Sequence, residues 1–540
     1  MTSDGPHTLS DALRALAAGT TSSVELTEAA LAAADRDDAT LGVFVSRFPE
    51  RARAAAKAAD EARSGGTDLP LLGVPVGIKD IIATEDGETT GQSLVLDRAW
   101  GAGDAAVAAR LRAAGAVVVG KTTTMEFALG SPDPTKPFPL PRNPWDATRW
   151  AGGSSSGSGA GVPAGMFLGA LGTDTGASVR MPAALCGITG LKPTYGRVPK
   201  SGVVPLGYTL DCVGPMARSA EDCARLLAVL AGRAAADPAS VDGPPVAPPA
   251  VPGDLAGLRV GYDPLHAVSG TARDPGLDAL LDAALDTLRE RGATVVPVAL
   301  PLYGEVTAAA AVSILAEAAA YHAPDLRDRW EDYFASTRAG LGMAAFASAA
   351  DYVQAQRVRR AGQEALGRLL LEVDVLVTPT VAAAAPPLEA AGDYVGSLFA
   401  GADLAYLTAY WNALGNPALT VPIGFSTAGL PLAMQVVGPA FGDEAVLRVG
   451  MAYQERTTWH LARPEPTAAP VDGPAAPAAG STLPAPSAGA LAMLDQADLG
   501  AGPAERTALA AALPVVRANA ERLRDVPGTR YADPVTVFRA

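Results

Sequence analysis

The stretch DAAVAARLRAAGAVVVGK, residues 104–121, reads as a helix running straight into a strand. Val107, Leu111 and Ala114 recur at helical spacing on one face, and the run GAVVVGK at 115–121 is apolar and β-branched without alternation. Similar runs follow in LRVGYDP (258–264), ATVVPVALP (293–301), DVLVTPT (374–380), ALTVPIGF (418–425) and LAMQVVG (432–438). Continuous rather than alternating apolarity marks strands covered by helices on both faces, so the chain is predicted to be α/β around a large central sheet. Upstream, Ser22 and Glu25 have capping-box spacing ahead of an Ala/Leu-rich run ending near Asp35, and a second helix is expected over about 48–64.

With 540 residues, 49% of them apolar and 18% charged, the chain is enzyme-sized and its bulk is not intrinsically disordered. A net charge of -15 and a pI near 4.8 argue against direct contact with nucleic acid or an anionic membrane, which needs clustered Lys and Arg. No run of about 18 uninterrupted apolar residues is present, so no membrane helix is expected. The start MTSDGPHTLSD has neither a basic nor an apolar leader region, which points to the cytoplasm. Cys186, Cys212 and Cys223 are an odd count without CxxC spacing, giving neither a disulfide framework nor a zinc site. The six lysines all lie at or before Lys200. A lysine kept in such a chain offers what arginine lacks, the ability to become neutral near pH 7.

Two proline-rich stretches divide the chain. Residues 237–253 carry six prolines and read as a surface excursion, because strand-like runs resume after them. Residues 464–486 carry seven prolines and read as a linker. The expected organisation is a catalytic domain over 1–463, a linker over 464–488 and a short helical module over 489–540. In that module Leu509, Leu513, Val516, Ala520 and Leu523 form an apolar stripe, and Pro514 should segment the helix. About fifty residues rarely build a core alone. Docking on the main body or on a second copy is therefore expected.

Residues 151–200 are saturated with Gly and Ser. A flexible linker is the bland reading, but GMFLGALGTDTGASVRMPAALCG within it is too apolar for one. Gly159–Ala164 fits a loose GxGxxA, yet no strand precedes it and Pro163 stands where a helix should turn. Gly153–Gly157 fits GxSxG around Ser155, which requires a histidine base. The four histidines, His7, His266, His322 and His460, do not sit in strand-end loops. The remaining reading pairs a serine with a lysine base. Lys79 lies in LLGVPVGIKDII, flanked by Ile78, Ile81 and Ile82, where burial would lower its pKa. Against this stands a strand-edge lysine paired with Asp80.

Taken together these segments resemble the amidase signature family, whose members hydrolyse carbon–nitrogen bonds with a Ser–Ser–Lys triad. GVPVGIKD around Lys79, GGSSSGS at 152–158, LGTDTGASVRMPAALCGITGLKPTYGRVP at 171–199 and LDCVGPMARSAEDCA at 210–224 follow the family pattern in order. TVPIGFSTAGLPLAMQVVG at 420–438 resembles the family's closing strands, and the resemblance spans roughly residues 8–462. It implies one α/β domain around a large mixed sheet, cytoplasmic as in the family's bacterial members and often dimeric, with no cofactor or metal. It also implies Ser178 as nucleophile, Ser154 as a bridging serine with a cis peptide, and Lys79 as base. The N–H groups of Thr175, Gly176, Ala177 and Ser178 would form the oxyanion hole, with Asp174 and Arg180 bracing that loop. Cys186 is read as a packing residue. One departure is Ala177, where most members have glycine: its Cβ disfavours positive φ and narrows the acyl pocket.

The expected function is hydrolysis of small carboxamides, anilides or related carbamates and esters through a serine acyl-enzyme. The alternatives are the glutaminase (A) subunit of a tRNA-dependent amidotransferase, faintly supported by the appended helices, and an allophanate- or carboxybiuret-type hydrolase needing a dedicated arginine. A catalytically dead scaffold is a further class. No substrate-binding residue is assigned; Phe138, Tyr303, Trp330, Tyr333 and Trp411 could line the pocket or belong to the core.

Overall fold

A computed structural model describes residues 7–246, 253–268, 273–391, 407–465, 486–524 and 526–529. Its strands are β1 (Phe44–Arg47), β2 (Pro75–Lys79), β3 (Val117–Thr122), β4 (Arg142–Asn143), β5 (Asp146–Trp150), β6 (Gly169–Asp174) and β7 (Thr189–Lys192). They continue with β8 (Cys212–Ala217), β9 (Arg259–Tyr262), β10 (Thr294–Pro297), β11 (Val375–Pro379), β12 (Ala418–Phe425) and β13 (Pro431–Val437). Eleven of these form one sheet in the order β1-β3-β2-β6-β8-β7-β12-β13-β11-β9-β10, while β4 and β5 make a separate ribbon. The sheet is mixed: β2 runs parallel to β3 and β6, and β9 to β10 and β11, with antiparallel pairs elsewhere. The expected α/β architecture with a large mixed sheet is the observed one, and all six apolar runs are strands.

Every residue of β2, β3, β6, β7, β8, β11 and β13 is buried, as continuous apolar runs require when both faces are covered. β10 differs, being an edge strand with Thr294 and Pro297 exposed. Ser22 and Glu25 form the expected reciprocal cap, but the helix continues to Leu41 rather than ending near Asp35, since no helix breaker precedes Gly42. The second helix runs Pro49–Ser64. The helix Tyr303–Asp328 is long and apolar enough to cross a membrane by composition, and half of its most apolar window is buried within the fold.

The described part of the excursion at 237–253 folds back on the body: Asp237 accepts from the Lys200 N–H (2.8 Å) and the Val241 N–H donates to the Gly196 carbonyl (3.0 Å). Most of the proline-rich stretch at 464–488 lies outside the described residues. Beyond it come the helices Ala488–Gln496, Pro503–Ala510 and Leu513–Arg524, with Pro514 in the first turn of the last, where its missing N–H costs nothing. All five residues of the apolar stripe are buried. Docking is onto the chain's own body: Gly500 N–H donates to Leu326 O (3.0 Å), Trp330 Nε1 to Glu505 (2.7 Å) and Gln354 Nε2 to Leu523 O (2.7 Å), and Arg338 pairs with Glu505 (2.6 Å).

None of these contacts involves Lys79, Ser154 or Ser178. Truncation near residue 463 is therefore expected to leave kcat within a few-fold of wild type. It should lower the melting temperature or change the oligomeric state, because burying each Leu or Val of the stripe contributes about 1.5–3 kcal/mol. Calorimetry and size-exclusion chromatography beside an activity assay check this; total inactivity in a folded truncation would contradict it.

Candidate active site

β2 and β6 are parallel neighbours, so their C-terminal ends, Lys79 and Asp174, emerge at the same end of the sheet. Lys79 is fully buried and sits mid-sheet, not at an edge. Its Nζ donates to Ser154 Oγ at 2.6 Å and to Thr173 Oγ1 at 2.7 Å. Asp80, the partner it would have as a simple ion-paired lysine, is instead paired with Lys121 (3.1 Å). Burial without a bonded counter-ion brings the Lys79 pKa down to about 7, against the opposing pull of Asp174 and Asp211.

Ser154 follows two left-handed glycines, Gly152 (φ 91°) and Gly153 (φ 56°), and a Cβ on either would strike Leu185 or Pro182 at 2.6 Å. The cis peptide expected at Ser154 is not found: all described peptide bonds are trans, and the reversal is made by those two glycines. Ser155, the centre of the GxSxG match, is occupied otherwise. Its Oγ accepts from Thr173 N–H (3.1 Å) and donates to Thr173 O (3.2 Å), tying this turn to β6.

Ser178 lies at the end of the loop that follows β6 and is half-buried beside Gly176, also half-buried. Its carbonyl accepts the Ser155 N–H (3.2 Å), and Gly153 lies against its Cα. No hydrogen bond joins the hydroxyls of Ser154 and Ser178 in this structure. The N–H groups of Gly176, Ala177 and Ser178 have no acceptor among the described residues. Ala177 does not adopt positive φ, as its Cβ requires, and it belongs to a buried apolar cluster with Met125, Trp150, Met181 and Val381.

The loop is braced as expected. Asp174 pairs with Arg180 (2.9 Å), both fully buried, and its Oδ2 also accepts the Val179 N–H (3.2 Å). Arg180 further donates to Asn412 Oδ1 (2.6 Å), Gln435 Oε1 (3.1 Å) and Thr408 O (3.0 Å). Burial pushes the Asp174 carboxyl up, but Arg180, together with Asn412 and Lys192, holds it below its ordinary range.

The histidines stand elsewhere. His322 bonds Tyr333 (3.0 Å) and packs on Phe127, His460 is buried at the end of the body, and His266 pairs with Asp278 at the surface. Burial lowers His322 and His460 to about 4. Tyr303, Trp330, Tyr333 and Trp411 are core residues, whereas Phe138 is half-buried. Cys186 is buried with its thiol pushed up, as a packing residue should be. No group of three metal-ligating side chains occurs among the described residues. The sequence reading missed Thr173, which gains its place beside Lys79 only through the parallel pairing of β6 with β2.

The sequence model of the amidase family matches residues 25–447. In Roseiflexus sp. (strain RS-1), the A subunit of glutamyl-tRNA(Gln) amidotransferase is 42% identical over 485 residues, which is 85% of this chain and 98% of that protein. The solved peptide amidase from Stenotrophomonas maltophilia superimposes with a TM-score of 0.72 at 30% identity, covering 86% of this chain and 99% of that one. The solved A subunit of glutamyl-tRNA(Gln) amidotransferase from Thermotoga maritima gives a TM-score of 0.70 at 30% identity, covering 83% and 95%. The chain belongs to the amidase family, whose chemistry is on carbon–nitrogen bonds.

Proposed function

We propose that the chain cleaves a primary carboxamide through a serine acyl-enzyme, as the glutamine-hydrolysing subunit of a tRNA-dependent amidotransferase. Ser178 is the nucleophile, Ser154 the relay and Lys79 the base. The observation that carries the chemistry is a fully buried lysine, near pKa 7, held 2.6 Å from Ser154. Neutral Lys79 takes the Ser154 proton while Ser154 takes that of Ser178, whose Oγ bonds to the carbonyl carbon. The N–H groups of Thr175, Gly176, Ala177 and Ser178 receive the oxyanion. The proton then returns through Ser154 to the leaving nitrogen, the C–N bond breaks and ammonia departs. Water attacks the ester by the same relay, releasing the acid and restoring Ser178.

The role within an amidotransferase is supported by identity to the Roseiflexus protein over nearly its whole length. Glutaminase activity that rises at least tenfold with the partner proteins, ATP and glutamyl-tRNA would bear it out; no glutamine hydrolysis under those conditions would end it. A free-standing, cytoplasmic amidase for small amides, anilides, carbamates or esters is the second reading. One observation favours it: the three C-terminal helices lie beyond residues 25–447, which the family model matches, and they cover the chain's own surface. Turnover of simple amides by the chain alone, without glutaminase activity, would select it.

Under either role, Ala177→Gly should favour bulky acyl groups over acetamide by up to about tenfold in kcat/KM, since one methyl in a pocket is worth roughly 1–3 kcal/mol. Equal effects on both substrates would mean the methyl faces away from the acyl group.

A further inference from the structure

Asp211 has no role in the reading above. It is buried at the entrance to β8, and because Asp174 pairs with Cys212 across the β6–β8 ladder, it stands beside Thr175. Its Oδ1 accepts the Thr175 hydroxyl at 2.5 Å and the Gly207 N–H at 3.1 Å, and its Oδ2 accepts the Leu206 N–H at 3.0 Å. A buried carboxylate is costly unless its lone pairs are met, and three converging donors lock this one in place. Gly207 is pressed so close that a Cβ there would lie 2.9 Å from Thr175 Cγ2. Thr175 opens the loop that carries the unbonded N–H groups of Gly176, Ala177 and Ser178. A cavity of about 10 Å³ is lined by Asp211 and Thr175 together with Thr173, whose hydroxyl holds Lys79.

We infer that Asp211 is a positioning residue for the acyl transfer: through Thr175 it aims the N–H groups of the loop, and as a buried anion it acts on the charge of Lys79. This rests on the Ser178–Lys79 reading. The anions that act on Lys79 are Asp174 and Asp211, both opposing the loss of its proton. Burial pushes the Asp211 carboxyl up, and its charged form is favoured by Lys200, whose ammonium lies over the rings of Tyr195 (4.5 Å) and Tyr208 (4.0 Å), by the Thr175 hydroxyl and by the Gly207 and Leu206 N–H groups. Removing the charge of Asp211 makes Lys79 easier to deprotonate, so the rising limb of the pH–rate profile moves to lower pH.

The test compares Asp211→Asn, Thr175→Val and Thr175→Ser in the full chain, measuring kcat and KM for one amide from about pH 5 to pH 10. Asp211→Asn should lower kcat about 10- to 100-fold, the scale of a misplaced reacting group, with KM within about threefold and the limb shifted to lower pH. Thr175→Val should reproduce the kcat loss with the limb unmoved, and Thr175→Ser, which keeps the hydroxyl, should retain most activity. Wild-type kcat in Asp211→Asn, or an unmoved limb, overturns the inference. If Asp211→Asn fails to fold, equal kcat in the two Thr175 variants overturns it. Labelling of Ser178 in the wild type by a fluorophosphonate separates the layers: an unlabelled wild type sinks the acyl-enzyme reading together with this one, whereas a labelled wild type matched by Asp211→Asn sinks this one alone.

Discussion

Lys79→Arg is expected to lower kcat for amides by about 10³- to 10⁴-fold, near the effect of removing the side chain altogether, because positioned acid–base groups contribute up to about 10⁴. Guanidinium stays protonated at every pH the protein survives and cannot accept the proton that Ser154 relays. Lysine can, because burial leaves its pKa at about 7. Wild-type activity should therefore rise with pH through a limb near 7 and level off above it, and the limb should vanish in the variant. Esters should lose less than amides, since an alkoxide or phenolate leaves without a proton that an amine requires. Ser178→Ala should abolish both activities and any acyl-enzyme burst. Unfolding can be separated from chemistry here. The unfolded chain keeps the Lys79 proton to about 10.5 and the folded chain releases it near 7, so burial costs stability fully below pH 7 and less across pH 7 to 10.5. Lys79→Met lifts that cost and should melt no lower than wild type at pH 7. Near-wild-type amide turnover in Lys79→Arg would place the base elsewhere.

The second large effect is structural. Asp174→Ala leaves Arg180 fully buried with only neutral acceptors, Asn412, Gln435, Thr408 and Gly176, and no counter-charge. Breaking one side of a buried pair costs about 3–5 kcal/mol. The Val179 N–H would lose its acceptor too, freeing the loop that carries Ser178, so kcat should fall about 100-fold in whatever fraction remains folded. Asp174→Ala combined with Arg180→Met should recover most of the stability, because the uncompensated charge is gone, but not the activity, because the loop is still unbraced. Urea denaturation of the single and double variants measures this directly. The contribution of Asp174 depends on its charge: its folded pKa lies below the ordinary 3.8, so the stability is present above about pH 3.8 and lost as pH falls through the folded value. A double variant no more stable than Asp174→Ala would show that Arg180 is not the source of the cost.

What could be read from the sequence follows from how each element comes to be a strand. β3, β11, β12 and β13 are runs of Val, Leu and Ile whose burial on both faces is written in their composition. β6 and β7 are not: GALGTD and TGLK have low strand propensity and sit in a Gly/Ser-rich segment. They are strands because neighbours approach too closely for side chains, as at Gly172, where a Cβ would lie 2.6 Å from Ser155 Oγ. That is a tertiary demand, invisible in local periodicity. Lys79 was legible from its isoleucine neighbours and from the rarity of lysine in this chain. Thr173 and Asp211 were not, since a threonine and an aspartate acquire meaning only when the ladder sets them beside Lys79 and Thr175. The trans backbone at Ser154 differs from what the family resemblance implied, and only coordinates could reveal it.

The most direct test of the account is to treat the chain with a fluorophosphonate across pH and locate the adduct by peptide mass spectrometry. The account predicts one adduct on Ser178, formed at a rate that rises through pH near 7 in the wild type and is lost in Lys79→Arg. An adduct on Ser155 or another serine, or labelling of Ser178 that is unchanged in Lys79→Arg, would contradict it.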